Sequence, residues 1–180
     1  MSPAANIIVG PELQTAARDL ILNFLRSNIQ AQIDSPDNQV SDEARLEPPE
    51  QFYISEKFIS LQPPALYVLK DGPMAFDNSD NPNMTKGKAK YRVIISVEHP
   101  GADLLELITE RWNRIIYNLL DRAQLKSDDE RLLLSLTVDS IDESDLMARK
   151  NGETGEIYRK DAICNIVAKH YEARIASISP

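Results

Sequence analysis

Two histidines, His99 and His170, are all that this chain offers for imidazole chemistry. His99 precedes Pro100-Gly101 where a strand-like run gives way to a helical one, and no Ser, Cys or carboxylate motif accompanies it. A turn or capping role is therefore expected in place of proton transfer. His170 lies between Lys169 and Tyr171 in a strand-like run and reads as a surface or cross-strand residue. The single cysteine, Cys164, excludes an internal disulfide and a Cys-based zinc cluster, and fits a chain that matures in a reducing cytosol. The acidic clusters fail as calcium loops. From Asp77, Pro82 stands where the loop needs glycine and Lys88 where it needs glutamate; from Asp139, the third position is Ile141. There is no glycine-rich phosphate loop, nucleophile elbow, HExxH helix or dinucleotide fingerprint. With six glycines in the chain, few positions let backbone approach a phosphate. The sequence nominates no catalytic, cofactor-binding or metal-ligating residue, and an enzyme is not expected.

Charge is more informative. The net charge of −8 disfavours a general role on phosphate backbones, which requires a concentrated cationic surface. The cations nevertheless cluster. Lys86, Lys88, Lys90 and Arg92 form one strip, and Arg149, Lys150, Arg159 and Lys160 a second. Such charge can simply keep exposed edges from aggregating. On an acidic protein the preferred reading is pairing with the acidic segments of a neighbouring copy, Asp34 to Glu50 or Asp128 to Glu130.

The elements that must position these residues follow from periodicity. A length of 180 residues fits a single domain, residues 1–180, around one core. Gly10-Pro11 starts a helix, with Pro at a position where its missing N–H costs nothing. Leu13, Ala16, Ala17, Leu20, Ile21, Phe24, Leu25 and Ile29 then recur at three and four, predicting an amphipathic helix that ends near Ile33. The acidic, proline-containing stretch 34–51 reads as an exposed loop. "FYISEKFIS" and "PALYVLK" predict short strands separated by Pro63-Pro64. Residues 71–90 read as a long polar loop carrying Met74 and Phe76, a first candidate for contact with a partner. Tyr91, Val93, Ile95 and Val97 alternate with Arg92, Ile94, Ser96 and Glu98, and Ile94 on the second face argues for a strand inside the sheet. The following helix should bury Leu104, Leu105, Leu107, Ile108, Trp112, Ile115, Ile116 and Leu119. Glu106, Glu110 and Arg114, spaced by four, fall on its outer face.

The last third reads as two strands on either side of Asn151-Gly152, a strong signal for a type I′ hairpin. With arms of up to about 19 residues at about 3.4 Å each, the hairpin approaches about 65 Å. Its inner part is apolar, whereas 141–158 is mostly charged and should project as a ribbon that a neighbouring chain supports. The fold class is thus α+β: a mostly antiparallel sheet flanked by two main helices, with a long C-terminal hairpin. The N-terminal residues lack the apolar stretch of a signal peptide, and no run reaches the length of a membrane span, so a soluble protein is expected.

In order of elements, residues 11–171 resemble the tail terminator proteins of tailed bacteriophages, a tail-completion or neck family. "ALYVLKDGP" and "KYRVIISVEH…LLELITERWNRIIYNLL" are the stretches most similar to it. The resemblance implies a sheet flanked by helices and a hexameric ring that caps the tail tube and offers its other face to the head-side connector. It further implies a virion protein of the tail or neck, assembled in the host cytoplasm. The implied partners are further copies of itself, the tube protein, connector or adaptor proteins and, in a contractile tail, sheath. No cofactor, membrane or specific nucleic-acid contact is implied, although DNA passes through such rings. Met74, Phe76, Lys86, Lys88, Arg149, Lys150, Arg159 and Lys160 are then the expected assembly contacts. The long 34–51 stretch and extended hairpin also suit a head-completion adaptor or a tube-like subunit. A small monomeric enzyme or ligand-binding domain is the alternative of another class; it would need a concave site with converging polar groups.

Overall fold

The structure is a computed structural model that describes residues 10–38, 44–53, 63–77, 84–150 and 155–173, with backbone alone for 10, 11, 149, 150 and 173. Its elements are α1 (Gly10–Ile33), β1 (Gln51–Tyr53), β2 (Ala65–Lys70), β3 (Ala75–Asp77), β4 (Met84–His99), α2 (Ala102–Leu120), β5 (Gln124–Lys126), β6 (Leu132–Glu143), β7 (Met147–Lys150) and β8 (Glu156–Ala173). They form one sheet in the order β1-β2-β4-β8-β6-β5, parallel only between β1 and β2. Two interrupted strands complete it: β3 continues the β2 side of β4, and β7 continues the β6 side of β8. The fold is α+β, mostly antiparallel, with two flanking helices and a long C-terminal hairpin.

The period-2 pattern decides what each face meets. Tyr91, Val93, Ile95 and Val97 of β4 and Ala162, Cys164, Ile166 and Ala168 of β8 point to the helix side and are buried. They pack against Leu13, Ala17, Ile21 and Leu25 of α1 and Leu105, Ile108, Trp112 and Ile116 of α2. Full burial of a side chain of this kind contributes about 1.5–3 kcal/mol. Leu107, expected in the core, stays partly exposed because it lies beside the sheet-facing stripe. Among the described residues the opposite sheet face carries no helix, and Ala65, Tyr67 and Leu69, with Tyr53 and Ile94, form a small cluster there.

Three sequence expectations change. The stretch 71–90 holds β3 and the start of β4, where lysines alternate with the small residues Gly87 and Ala89; residues 78–83 lie outside the described part. The 34–51 stretch is not wholly exposed, since Ala44 and Leu46 enter the core and the Ala44 carbonyl accepts from Arg111 Nη1 at 3.0 Å. The C-terminal hairpin forms, and Lys150 pairs with Glu156. The turn expected at Asn151-Gly152 falls within 151–154, outside the described part; the second arm resumes at Gly155, whose φ of +110° favours glycine. Nor is the ribbon free from 141 onward. β4 backs β8 as far as the pair His99–Tyr158, because β4, with 16 residues, runs along nearly all of the 18-residue β8.

Candidate functional site

Three adjacent rungs cross β3, β4 and β8: Ala75–Lys88–Lys169, Phe76–Gly87–His170 and Asp77–Lys86–Tyr171. Alternation sends the outer rungs to the face without helices and the middle rung toward the helix side. These residues line a cleft of about 350 Å³. Lys88 and Lys169 are direct cross-strand neighbours, an arrangement in which like charges repel. Lys86 stands two rungs away on the same face, with Asp77 as its cross-strand neighbour on β3. None of the three has an ion pair among the described residues, whereas Lys90 and Arg92 lie 3.7 Å from Asp139 and Asp71. Phe76, on the short outer strand, is 52% exposed.

Gly87 lies in the cleft floor. A β-carbon there would collide with the terminal methyl of Met74, which lies half-buried against the core. Met74 is thus packing under the site, and Phe76 is its exposed apolar member.

Beneath the floor, His170 is 0% exposed; of the two positions expected of it, surface or cross-strand, it takes the second, opposite Gly87 and Leu134. The Tyr91 hydroxyl donates to the Gln14 carbonyl at 3.2 Å, so its oxygen accepts from His170 Nε2, also at 3.2 Å. Nδ1 then carries the lone pair and has no partner among the described residues. Burial lowers the ring's pKa to about 4, leaving it neutral at pH 7. The missed signal is parity: His170 continues the buried series Ala162, Cys164, Ile166, Ala168. Burial likewise pushes the Cys164 thiol up to about 12, away from nucleophilic chemistry.

The second basic strip does not stay together. Arg159 and Lys160 are consecutive on a strand and point to opposite faces. On the open face, Arg159 Nη2 donates to Ser96 Oγ at 2.7 Å, and Ser96 Oγ donates to Asp161. Tyr67 stands beside this group with its hydroxyl pushed up to about 12, chiefly by burial. No imidazole joins it among the described residues, so Ser96 lacks the base that a nucleophile requires. On the helix side Lys160 is 7% exposed and bonds Glu106 of α2 and, at 2.6 Å, Glu143 of β6. Its burial removes Lys160 from the expected contacts; Glu106 turns to it and not along its own helix. Arg149 and Lys150 lie in β7 at the end of the hairpin.

His99 does the turn work expected of it: Nδ1 accepts from the Gly101 N–H at 3.0 Å at the start of α2. It also lines a cleft of about 280 Å³ with Arg45, Glu47, Glu98 and Trp112. No Ser, Thr or Cys lines that cleft among the described residues. No group of acidic, His or Cys side chains could hold a metal among the described residues, and no described helix is long and apolar enough to cross a membrane.

No protein-family model matches the chain, and no curated protein matches it. Among solved structures, the chain is similar to one from the virion of a native gene transfer agent particle. The likeness has a TM-score of 0.36 and 11% identity, and covers 84% of this chain and 93% of the other. At that score and identity it assigns neither a fold family nor a function.

Proposed function

We propose that this chain is a structural subunit of a phage-like virion, and that it forms a hexameric ring which caps a tail tube and joins it to the head-side connector. Its work is binding geometry without turnover. The observation that carries the reading is the open sheet face: an acidic chain gathers three lysines there without an ion pair among the described residues, two of them directly opposed, at an edge whose Phe76 is exposed on the other side. Like charges so placed cost stability unless an anionic partner offsets them. The order of elements, which resembles that of tail terminators, directs the reading to a ring in the neck of a tail. Its partners are further copies, tube protein, connector proteins and, in a contractile tail, sheath, with no cofactor and no membrane. It is then found in the virion after assembly in the host cytoplasm.

The test is mass by light scattering across concentration, with negative-stain images of the protein alone and mixed with tail tubes. Rings, or monomers that close into rings on tube ends, are the expected result. A monomer that ignores tubes at every concentration would sink the proposal and move attention to ligand binding at the His99 cleft.

A further inference from the structure

We propose that copies of this chain join head to tail through opposite edges of the sheet, the acidic edge of one copy around Asp142 to Met147 seating on the lysine cleft of the next. The inference deepens the assembly reading above and rests on it.

The acceptor is the cleft already described. β3 pairs only with β4, so its outer edge has no neighbouring strand among the described residues. Phe76 stands on that edge, turned to the helix side, and the lysines stand on the open face behind it. The donor is the other side of the sheet. β5 covers β6 only at Leu133–Ser135, and β7 pairs only with β8, so the outer edge from Asp139 to Met147 also lacks a strand among the described residues. Unpaired edges are templates for another chain. This one carries Asp142 and Asp145 together with Leu146 and Met147, which are 42% and 45% exposed.

The two edges fit each other better than either fits itself. Pairing the acidic edge with its own copy would oppose aspartates, and pairing cleft with cleft would oppose lysines. The crossed arrangement sets carboxylates against lysines and Leu146 and Met147 against Phe76 and the lysine stems. The register shift between Val138 and Ser140 further discourages flat self-pairing of the acidic edge. A contact between unlike edges is heterologous and closes into a ring when its rotation allows.

The experiment is a charge exchange. One variant carries Lys86→Glu and Lys88→Glu, the other Asp142→Lys and Asp145→Lys; melts followed by the fluorescence of Trp112, the only tryptophan, check that each folds. Each alone is expected to lose self-association by roughly tenfold or more, and an equimolar mixture to regain it, since the reversed cleft then meets the reversed edge. A wild type that associates while both variants associate equally well, or while the mixture stays dissociated, overturns this interface and leaves the ring reading standing. A wild type that never associates overturns both. Mixed-sequence duplex DNA bound by the wild type and released by the lysine variant would assign the cleft to nucleic acid, which also overturns the inference. Should the lysine variant not fold, Lys169→Glu replaces it in the same scheme.

Discussion

His170 is an ionisable ring enclosed where the sheet meets the start of α1, and it stays there because its neutral form satisfies Tyr91. Its protonated form would need a second acceptor at Nδ1, where none stands among the described residues. The pH consequence follows from the direction of the shift. The unfolded ring titrates near 6.5 and the folded one at about 4, so the unfolded state binds more protons between those values. The stability due to the neutral ring is present in full above about pH 6.5 and falls as pH drops toward 4, by up to about 3 kcal/mol. Urea unfolding at a series of pH values should therefore show a shallower acid decline in His170→Phe than in the wild type. Equal slopes would mean that the ring is charged or accessible in the folded protein.

Among the elements, α2 is fastened to the hairpin by one cation. Lys160 of β8 reaches Glu106 of α2 and Glu143 of β6, and Glu143 also accepts from Asn113 Nδ2 at 3.0 Å. Burial works against the charged ammonium, yet the hydrogen bonds to Glu106 and Glu143 outweigh it and its pKa rises. That contribution is present below the ordinary lysine titration range and is lost as pH climbs through it. Lys160→Met keeps the stem but leaves Glu143 without its cation. Because Glu106 is half exposed, the expected loss is about 2 kcal/mol and not the 3–5 of a fully buried pair. Glu106→Gln should cost less. Chemical denaturation of the two variants checks the order, and a Lys160→Met as stable as the wild type would show that the bridge contributes nothing net.

At the scale of the molecule, among the described residues one sheet face is closed by two helices and the other is open, with cations toward one edge and an acidic rim on the opposite edge. A surface so divided acts at contact range, where screening matters. Raising salt from roughly 0.1 to 1 M shortens the screening length from about 10 to 3 Å and should weaken self-association of the wild type. In the Lys86→Glu, Lys88→Glu variant any residual association should respond far less. Concentration series by analytical ultracentrifugation read both, and association that strengthens with salt would make the contact apolar instead.

Much of the fold is legible in local pattern alone. Alternation at 91–97 and the three-and-four recurrence at 104–119 are local consequences of backbone geometry, so the central strand, both helices and the hairpin were legible without contacts. The acidity of the chain and its clustered lysines were equally visible. What the tertiary structure alone decided is which charges remain free. "KGKAKY" has strand parity, but its small residues gave no apolar signal until Met74 and the core closed over them. Arg159 and Lys160 look alike in sequence; pairing at a distance put one on the open face and the other between two glutamates. His170 became a buried ring because a strand fixes its face through its partners, and those partners lie far off in the chain, at Gly87, Tyr91 and Leu134.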